Sequence, residues 1–265
     1  MVGRIAGRNS GRCGLLGAGA LAAALLVAAA PVRAAEMNAM ITTAMAAAIE
    51  QLAPPFERAR GDTLHIVYGP SGGLARRLNG GEPADLIIVE SKVLDELIRQ
   101  GKVAPGRTDI ARTAIGIAVR KGAPRPDVSS AAALKRTLLA ARSIGYTAPA
   151  GGGVTAAHII GVLEKLGIAT QVAPKVRLAA GGPNGRVSVL VSSGEAEIGL
   201  QLVSELMSNP DVEVIGMLPP ELQLTAVISA AIPTGSREVE LAKAFIRHLA
   251  TPDAMTVFKA KGLAL

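Results

Sequence analysis

The amino-acid sequence predicts an α/β protein with largely parallel sheets, and three observations predict it. Short apolar runs alternate with segments of helical period along most of the chain. The 265 residues are 49% hydrophobic and 18% charged, which suits a globular chain with a buried core and excludes a disordered one. No segment repeats at a solenoid period, and no long low-complexity linker interrupts the alternation.

The first element is an export signal over residues 1–34. Arg4, Arg8, Arg12 and Arg33 lie there without an acid, around an apolar run over 15–30, and Val32-Arg33-Ala34 places small residues three and one before a cut. The mature start is expected near Ala35, with export to the periplasm. The apolar run is shorter than the ~20 residues needed to span a bilayer. Removing those arginines reduces the formal charge of +7 to a mild excess, unlike a nucleic-acid footprint. An aromatic content of 2% also excludes a stacking platform for single strands. Cys13, the single cysteine, departs with the signal, so no disulfide is expected, and it does not follow the apolar run as a lipid-attachment cysteine would.

In the mature chain, apolar runs predict strands over 38–42, 64–68, 85–89, 114–119, 143–146, 197–200, 212–217 and 223–230. Helical periodicity predicts helices over 43–52, 71–79, 91–100, 130–141, 154–166, 184–193, 238–249 and 252–261. Four helix openings carry the most information. Thr42-Thr43 precede the stripe Met45, Ile49 and Leu52, with a threonine hydroxyl expected as N-cap. Gly69-Pro70-Ser71-Gly72-Gly73 precede Leu74 and Leu78, with Ser71 as the expected cap and glycines that admit a ligand to the backbone. Gly151-Gly152-Gly153-Val154-Thr155 precede Ile159 and Leu163. Pro183-Asn184-Gly185 open a helix that Gly194 should end.

Each opening leaves backbone N–H groups at the positive end of a helix, and none places an acid at the cap, so the set forms a candidate anion site. Each hydrogen bond to a charged ligand contributes roughly 1.5–3 kcal/mol, so about five or six reach micromolar affinity, near −8 kcal/mol, after the costs of ordering. Arg76, Arg77 and Arg186 each follow an opening and can add bidentate contacts to a carboxylate. Arg77 adjoins Arg76 and cannot share its direction, which favours a solvated face for it.

Enzyme signatures are thin. His65, His158 and His248 lack metal-ligand spacing, so no metal or cofactor is expected. Ser71 stands in a G-x-S-x-G pattern, but no oxyanion motif accompanies it, and Gly151-Gly152-Gly153 lacks the Lys-Ser/Thr ending of a P-loop.

The run from Gly69 through Leu78, then Gly81-Glu82-Pro83-Ala84-Asp85, resembles the periplasmic molybdate-binding protein family, as do Gly194-Glu195-Ala196-Glu197-Ile198-Gly199 and Pro252-Asp253-Ala254. The resemblance covers essentially the whole mature chain. It implies the two-lobed type II periplasmic-binding-protein fold, each lobe a mostly parallel sheet flanked by helices. Residues 36–116 and 225–265 would form one lobe and 117–224 the other, with an anion held between them. It places ligand contacts at Thr42 or Thr43, at Ser71 with Gly72, around Gly153, Val154 and Thr155, and at Asn184 and Gly185. A monomer serving an ABC permease is expected, with no nucleic-acid partner.

The family's contacting tyrosine would follow the strand at 197–200, where this chain has Gln201-Leu202-Val203-Ser204-Glu205. That departure is similar to a divergent branch handling organic acids, including a periplasmic aconitate isomerase. Two functions are therefore carried forward. One is capture of a molybdate-like oxyanion or an organic carboxylate for uptake. The other is isomerisation of an unsaturated tricarboxylate, with Glu205, His158 or Tyr146 supplying the proton chemistry and the helix openings stabilising charge.

Overall fold

The computed structural model describes Gly3 and residues 34–151, 154–180 and 186–264; the expected export signal lies almost wholly outside them. The chain runs β1 Glu36–Thr42, α1 Ala46–Arg60, β2 Thr63–Gly69, α2 Ser71–Asn79, β3 Leu86–Glu90, α3 Ser91–Arg99 and β4 Thr108–Arg120. It continues through α4 Ala131–Ala140, β5 Ile144–Thr147, α5 Val154–Lys165, α6 Ala169–Val172, β6 Val176–Ala179, α7 Val187–Ser193, β7 Ile198–Leu202 and α8 Val203–Leu206. Strands β8 Val212–Met217 and β9 Thr225–Ala231 and helices α9 Val239–Leu249 and α10 Pro252–Ala260 complete it.

The strands form one mixed sheet in the order β2-β1-β3-β9-β4-β7-β5-β6, with β8 also on β4. Parallel pairing joins β1 to β2 and β3, and β5 to β6 and β7. Antiparallel pairing is confined to contacts made by β4, β8 and β9. The 13-residue β4 is the shared strand: residues 108–114 pair with β9, and residues 115–120 pair with β7 and β8.

Side-chain alternation explains why both sheet faces are covered. Met37, Ala39 and Ile41 of β1 and Leu86 and Ile88 of β3 enter the large core with α1, α9 and α10. The intervening Met40, Ile87 and Val89 meet Leu74 and Leu78 of α2 and Leu94 and Leu97 of α3. In the other half, α7 lies directly on β7: a Cβ at Gly199 would stand 2.6 Å from Val191. Gly194 adopts φ 83 at the C-cap of α7, as its place in the sequence predicts.

Several boundaries differ from expectation. Helix α1 continues past 52 through Pro54 and Pro55, because the carbonyls their missing N–H groups would have served, on Glu50 and Gln51, belong to solvent-exposed residues. Strand β4 begins at 108 rather than 114, and β6, α6 and α8 are additional elements.

Candidate functional site

Three parallel strands end side by side. Thr42 of β1 is level with Gly69 of β2, and Ile41 with Ile88 of β3, so the strand ends deliver Thr43, Ser71 and Glu90 to one edge. The carboxyl ends of strands are where open α/β sheets bind ligands.

Neither expected cap forms. Pro70, extended at φ −61, is the N-cap of α2, and Ser71 is its first helical residue. The buried Ser71 hydroxyl instead accepts the Glu90 N–H at 3.3 Å. Thr42 is buried and makes no side-chain capping bond. The Thr43 hydroxyl donates to Glu205 Oε1 at 2.6 Å. For Ser71 a partner outside the helix occupies the hydroxyl oxygen a cap would use, and the Thr43 hydroxyl is oriented by the carboxyl to which it donates.

The second set of groups comes from the other part of the sheet. Strands β5 and β7 run parallel with Gly145 level with Gly199. Two residues on, the Gln201 amide donates to the Thr147 hydroxyl, while Gln201 Oε1 accepts the Leu202 N–H at 2.9 Å. This buried amide is satisfied within its own half. Helix α8 follows at once and carries Glu205. Arg186 precedes α7 and reaches the turn after α8: its Nη1 donates to Ser208 at 3.2 Å, and the Ser208 hydroxyl donates back to the Glu205 carbonyl of α8 at 2.6 Å.

Electrostatics tie these residues together. Burial pushes the Glu90 carboxyl up to about 7; its own backbone N–H opposes the shift and the Glu205 charge adds to it. Burial also pushes Glu205 above the usual carboxylate range, opposed by the Thr43 hydrogen bond and the Arg186 guanidinium. The Tyr68 phenol is raised by burial and by Glu50, and lowered by Arg186. Among the described residues, the buried side-chain atoms without a hydrogen-bond partner are Glu90 Oε2, Arg186 Nε, Ser188 Oγ and Ser204 Oγ. Buried polar groups are ordinarily paired, and leaving one unpaired costs about 1–3 kcal/mol. All four belong to this cluster or to the first turns of the two helices beside it.

The remaining candidates divide. Gly72 lies in the first turn of α2, and Arg76 Nη2 donates to the Ala150 carbonyl at 3.4 Å, which joins α2 to the turn before α5. Val154 and Thr155 open α5, with Thr155 buried. Gly153, Asn184 and Gly185 lie outside the described residues. His158 Nε2 is engaged by the Leu222 carbonyl at 2.7 Å, and Tyr146 is buried in the large core, its phenol raised by burial. Neither belongs to the Glu90–Glu205 cluster. Arg77 pairs with Glu82 on the surface; His65 meets Glu36, and His248 meets the Leu52 carbonyl beside Phe56. Glu90, Tyr68 and Ser188 were not foreseen. Glu90 had one weak signal, an acid closing the apolar run Leu86-Ile87-Ile88-Val89.

The cluster therefore offers two acids with raised proton affinity, a guanidinium and hydroxyls, a set suited to a carboxylate or to proton transfer.

The family described as bacterial extracellular solute-binding protein matches residues 37–264. An aconitate isomerase of a Pseudomonas species is 34% identical over 86% of this chain and 87% of its own length. The molybdate-binding protein of Azotobacter vinelandii is 28% identical over 85% of this chain and 88% of its own. Among solved structures, the Azotobacter vinelandii periplasmic molybdate-binding protein superposes with a TM-score of 0.68 at 21% identity, over 86% of this chain and 99% of that one. The sulfate-binding protein of Mycobacterium tuberculosis H37Rv gives 0.68 at 16% identity, over 86% of each chain. These likenesses establish the type II periplasmic-binding fold.

Proposed function

From the premise that the chain belongs to the bacterial extracellular solute-binding proteins, we propose that it captures a small organic carboxylate in the periplasm and delivers it to an ABC permease. The signal is cleaved near Ala35. The ligand lies between a lobe of residues 36–116 and 225–265 and a lobe of residues 117–224. The observation that carries this reading is the polar chain that joins Thr43 to the Glu205 carboxyl and the Glu205 carbonyl through Ser208 to Arg186, with the buried and unpaired Glu90 Oε2 in reach of the Glu205 charge. A guanidinium suits a carboxylate bidentately. Two buried acids repel a fully ionised tetrahedral anion but can share protons with a carboxylic acid.

Calorimetric titration with citrate, both aconitate isomers, sulfate and molybdate tests it. Saturable binding of a carboxylate, well above either inorganic anion, is expected. Saturable binding of sulfate or molybdate alone would overturn the carboxylate assignment.

A second reading, isomerisation of an unsaturated tricarboxylate, is supported by the same acids and by the 34% identity to the aconitate isomerase. Glu205, steadied by Thr43, would remove a proton beside a carboxylate, Arg186 would stabilise the resulting enolate-like charge, and the proton would return at the other end of the allylic unit. Absorbance monitoring of each aconitate with the purified protein tests this directly. Conversion that disappears in Glu205→Gln is the expected result; conversion that survives the substitution would remove Glu205 from the role.

A further inference from the structure

We infer that Glu90 sets ligand selectivity: its buried carboxyl shares one proton with the bound ligand and so, once ionised, turns away anions that bring none. The inference rests on the proposed capture of an organic carboxylate at this site.

Glu90 closes β3, and only 6% of its surface is exposed. Its backbone N–H is given to Ser71, and its Oε2 atom has no partner among the described residues although it is shut away from solvent. The groups around it are known by element. Glu205 on α8 raises its proton affinity, Thr43 after β1 occupies Glu205 Oε1, and Arg186 before α7 acts on Glu205 and on Tyr68 of β2. Among the described residues neither Glu90 nor Arg186 forms an ion pair. Among the described residues no cation is therefore committed to neutralising Glu90.

A carboxyl in this position can satisfy its free oxygen in two ways. Ionised, it only accepts, so the ligand must offer an O–H; protonated, it donates its single O–H to a ligand carboxylate. Both arrangements hold one proton between Glu90 and the ligand. With no proton there, two anionic oxygens face each other in a water-poor site beside Glu205, a repulsive arrangement that discriminates by exclusion. Polycarboxylates and hydroxy acids can bring that proton themselves, as a carboxylic acid or an alcohol O–H, whereas sulfate and molybdate depend on Glu90 to supply it and are refused once Glu90 ionises.

The test is calorimetry at pH 6 and pH 8 on the wild type and Glu90→Gln, with citrate, both aconitates, sulfate and molybdate as probes. Circular dichroism checks that the variant folds. The wild type should lose about tenfold or more in affinity for the aconitates, which have no hydroxyl, between the two pH values. Glu90→Gln, which offers an amide N–H, should flatten that dependence and gain about tenfold or more for sulfate or molybdate. If the variant does not fold, titrations of the wild type with the aconitates in buffers of different ionisation enthalpy should report a proton uptake that rises toward about one per ligand by pH 8. Aconitate binding without pH dependence or proton uptake would overturn the inference, as would a variant with wild-type selectivity. Failure of the wild type to bind any carboxylate would instead overturn the proposed ligand class. In that event, new oxyanion binding by Glu90→Gln would still support the role of Glu90, and its absence would end it.

Discussion

Glu90 leaves a signature in stability that can be read without any ligand. Its folded-state affinity for a proton is raised from the ordinary 4.5 to about 7, so between those values the folded protein holds a proton that the unfolded chain has released. Stability from this group is complete below 4.5 and is lost as pH rises through 7, amounting to about 3 kcal/mol by pH 8. Urea unfolding of wild type and Glu90→Gln at pH 5 and pH 8 should show the variant gaining on the wild type by an amount of that order at the higher pH. A constant difference would mean that Glu90 ionises as an ordinary carboxyl. Thr43 and Ser71 were legible because hydroxyls after Gly, Pro or a strand end are expected at helix openings, although their hydrogen bonds go elsewhere. Glu90 was not legible as a site residue: an acid after an apolar run reads as the solvated start of the next helix, and only the position of Glu205, far away in sequence, makes it part of a cluster.

At the scale of elements, the four-residue α8 matters most for the candidate site, and a glycine from the far end of the chain holds it. Gly262 has φ +72, and a Cβ there would stand 2.7 Å from Val203 and 2.8 Å from Met207, while the Gly262 carbonyl accepts from Thr113 at 3.2 Å. Gly106 has φ +89 with nothing within 4 Å of a built Cβ. Alanine at Gly106 should cost about 1–2 kcal/mol from the left-handed backbone alone. Alanine at Gly262 should cost about 1–3 kcal/mol more from overpacking, and should also weaken anion binding by shifting Glu205. Denaturant unfolding with parallel ligand titration checks both; equal losses at the two positions would show that α8 is not seated by Gly262. Helix α8 escaped sequence reading because Gln201-Leu202-Val203 continues the apolar pattern of β7 and the helix is too short to show a period. Strand β6 escaped for a similar reason: its four residues include exposed Arg177 and Leu178 and form the edge of the sheet. Helix α2, by contrast, spans the predicted 71–79, since Pro70 and Gly80 bracket an unambiguous stripe of Leu74 and Leu78.

For the whole molecule, the proposed lobes meet through apolar as well as polar contacts, Gly262 of one lying against Val203 and Met207 of the other. The polar ones include Thr43 to Glu205 and Arg76 to the Ala150 carbonyl, alongside the covalent path through β4. Contacts of this kind suit hinge closure, because they break at small cost and reform on a bound ligand. Thr43→Val removes the hydroxyl while keeping the shape, so small-angle scattering of the ligand-free variant should give a larger radius of gyration than the wild type, and a bound carboxylate should bring the two together. Identical radii without ligand would show that this hydrogen bond does not govern closure. The sequence made the α/β alternation plain, since it is local. It did not reveal that one 13-residue strand serves both parts of the sheet, because only pairing with β9, β7 and β8 distinguishes the two stretches of β4.

The place of β9 also sets the order in which the molecule can be assembled. It lies between β3 and β4, yet it is made more than a hundred residues after them. Until residues 225–231 arrive, β3 and the first part of β4 present open edges, with unpaired backbone groups next to Ile87, Ile88 and Val89. Such edges are templates for strand addition from another chain, and contacts of long sequence separation form slowly. A nascent or truncated chain that ends before β9 is thus the species most exposed to aggregation, and a segment that could complete the β3 edge from outside would act as its chaperone.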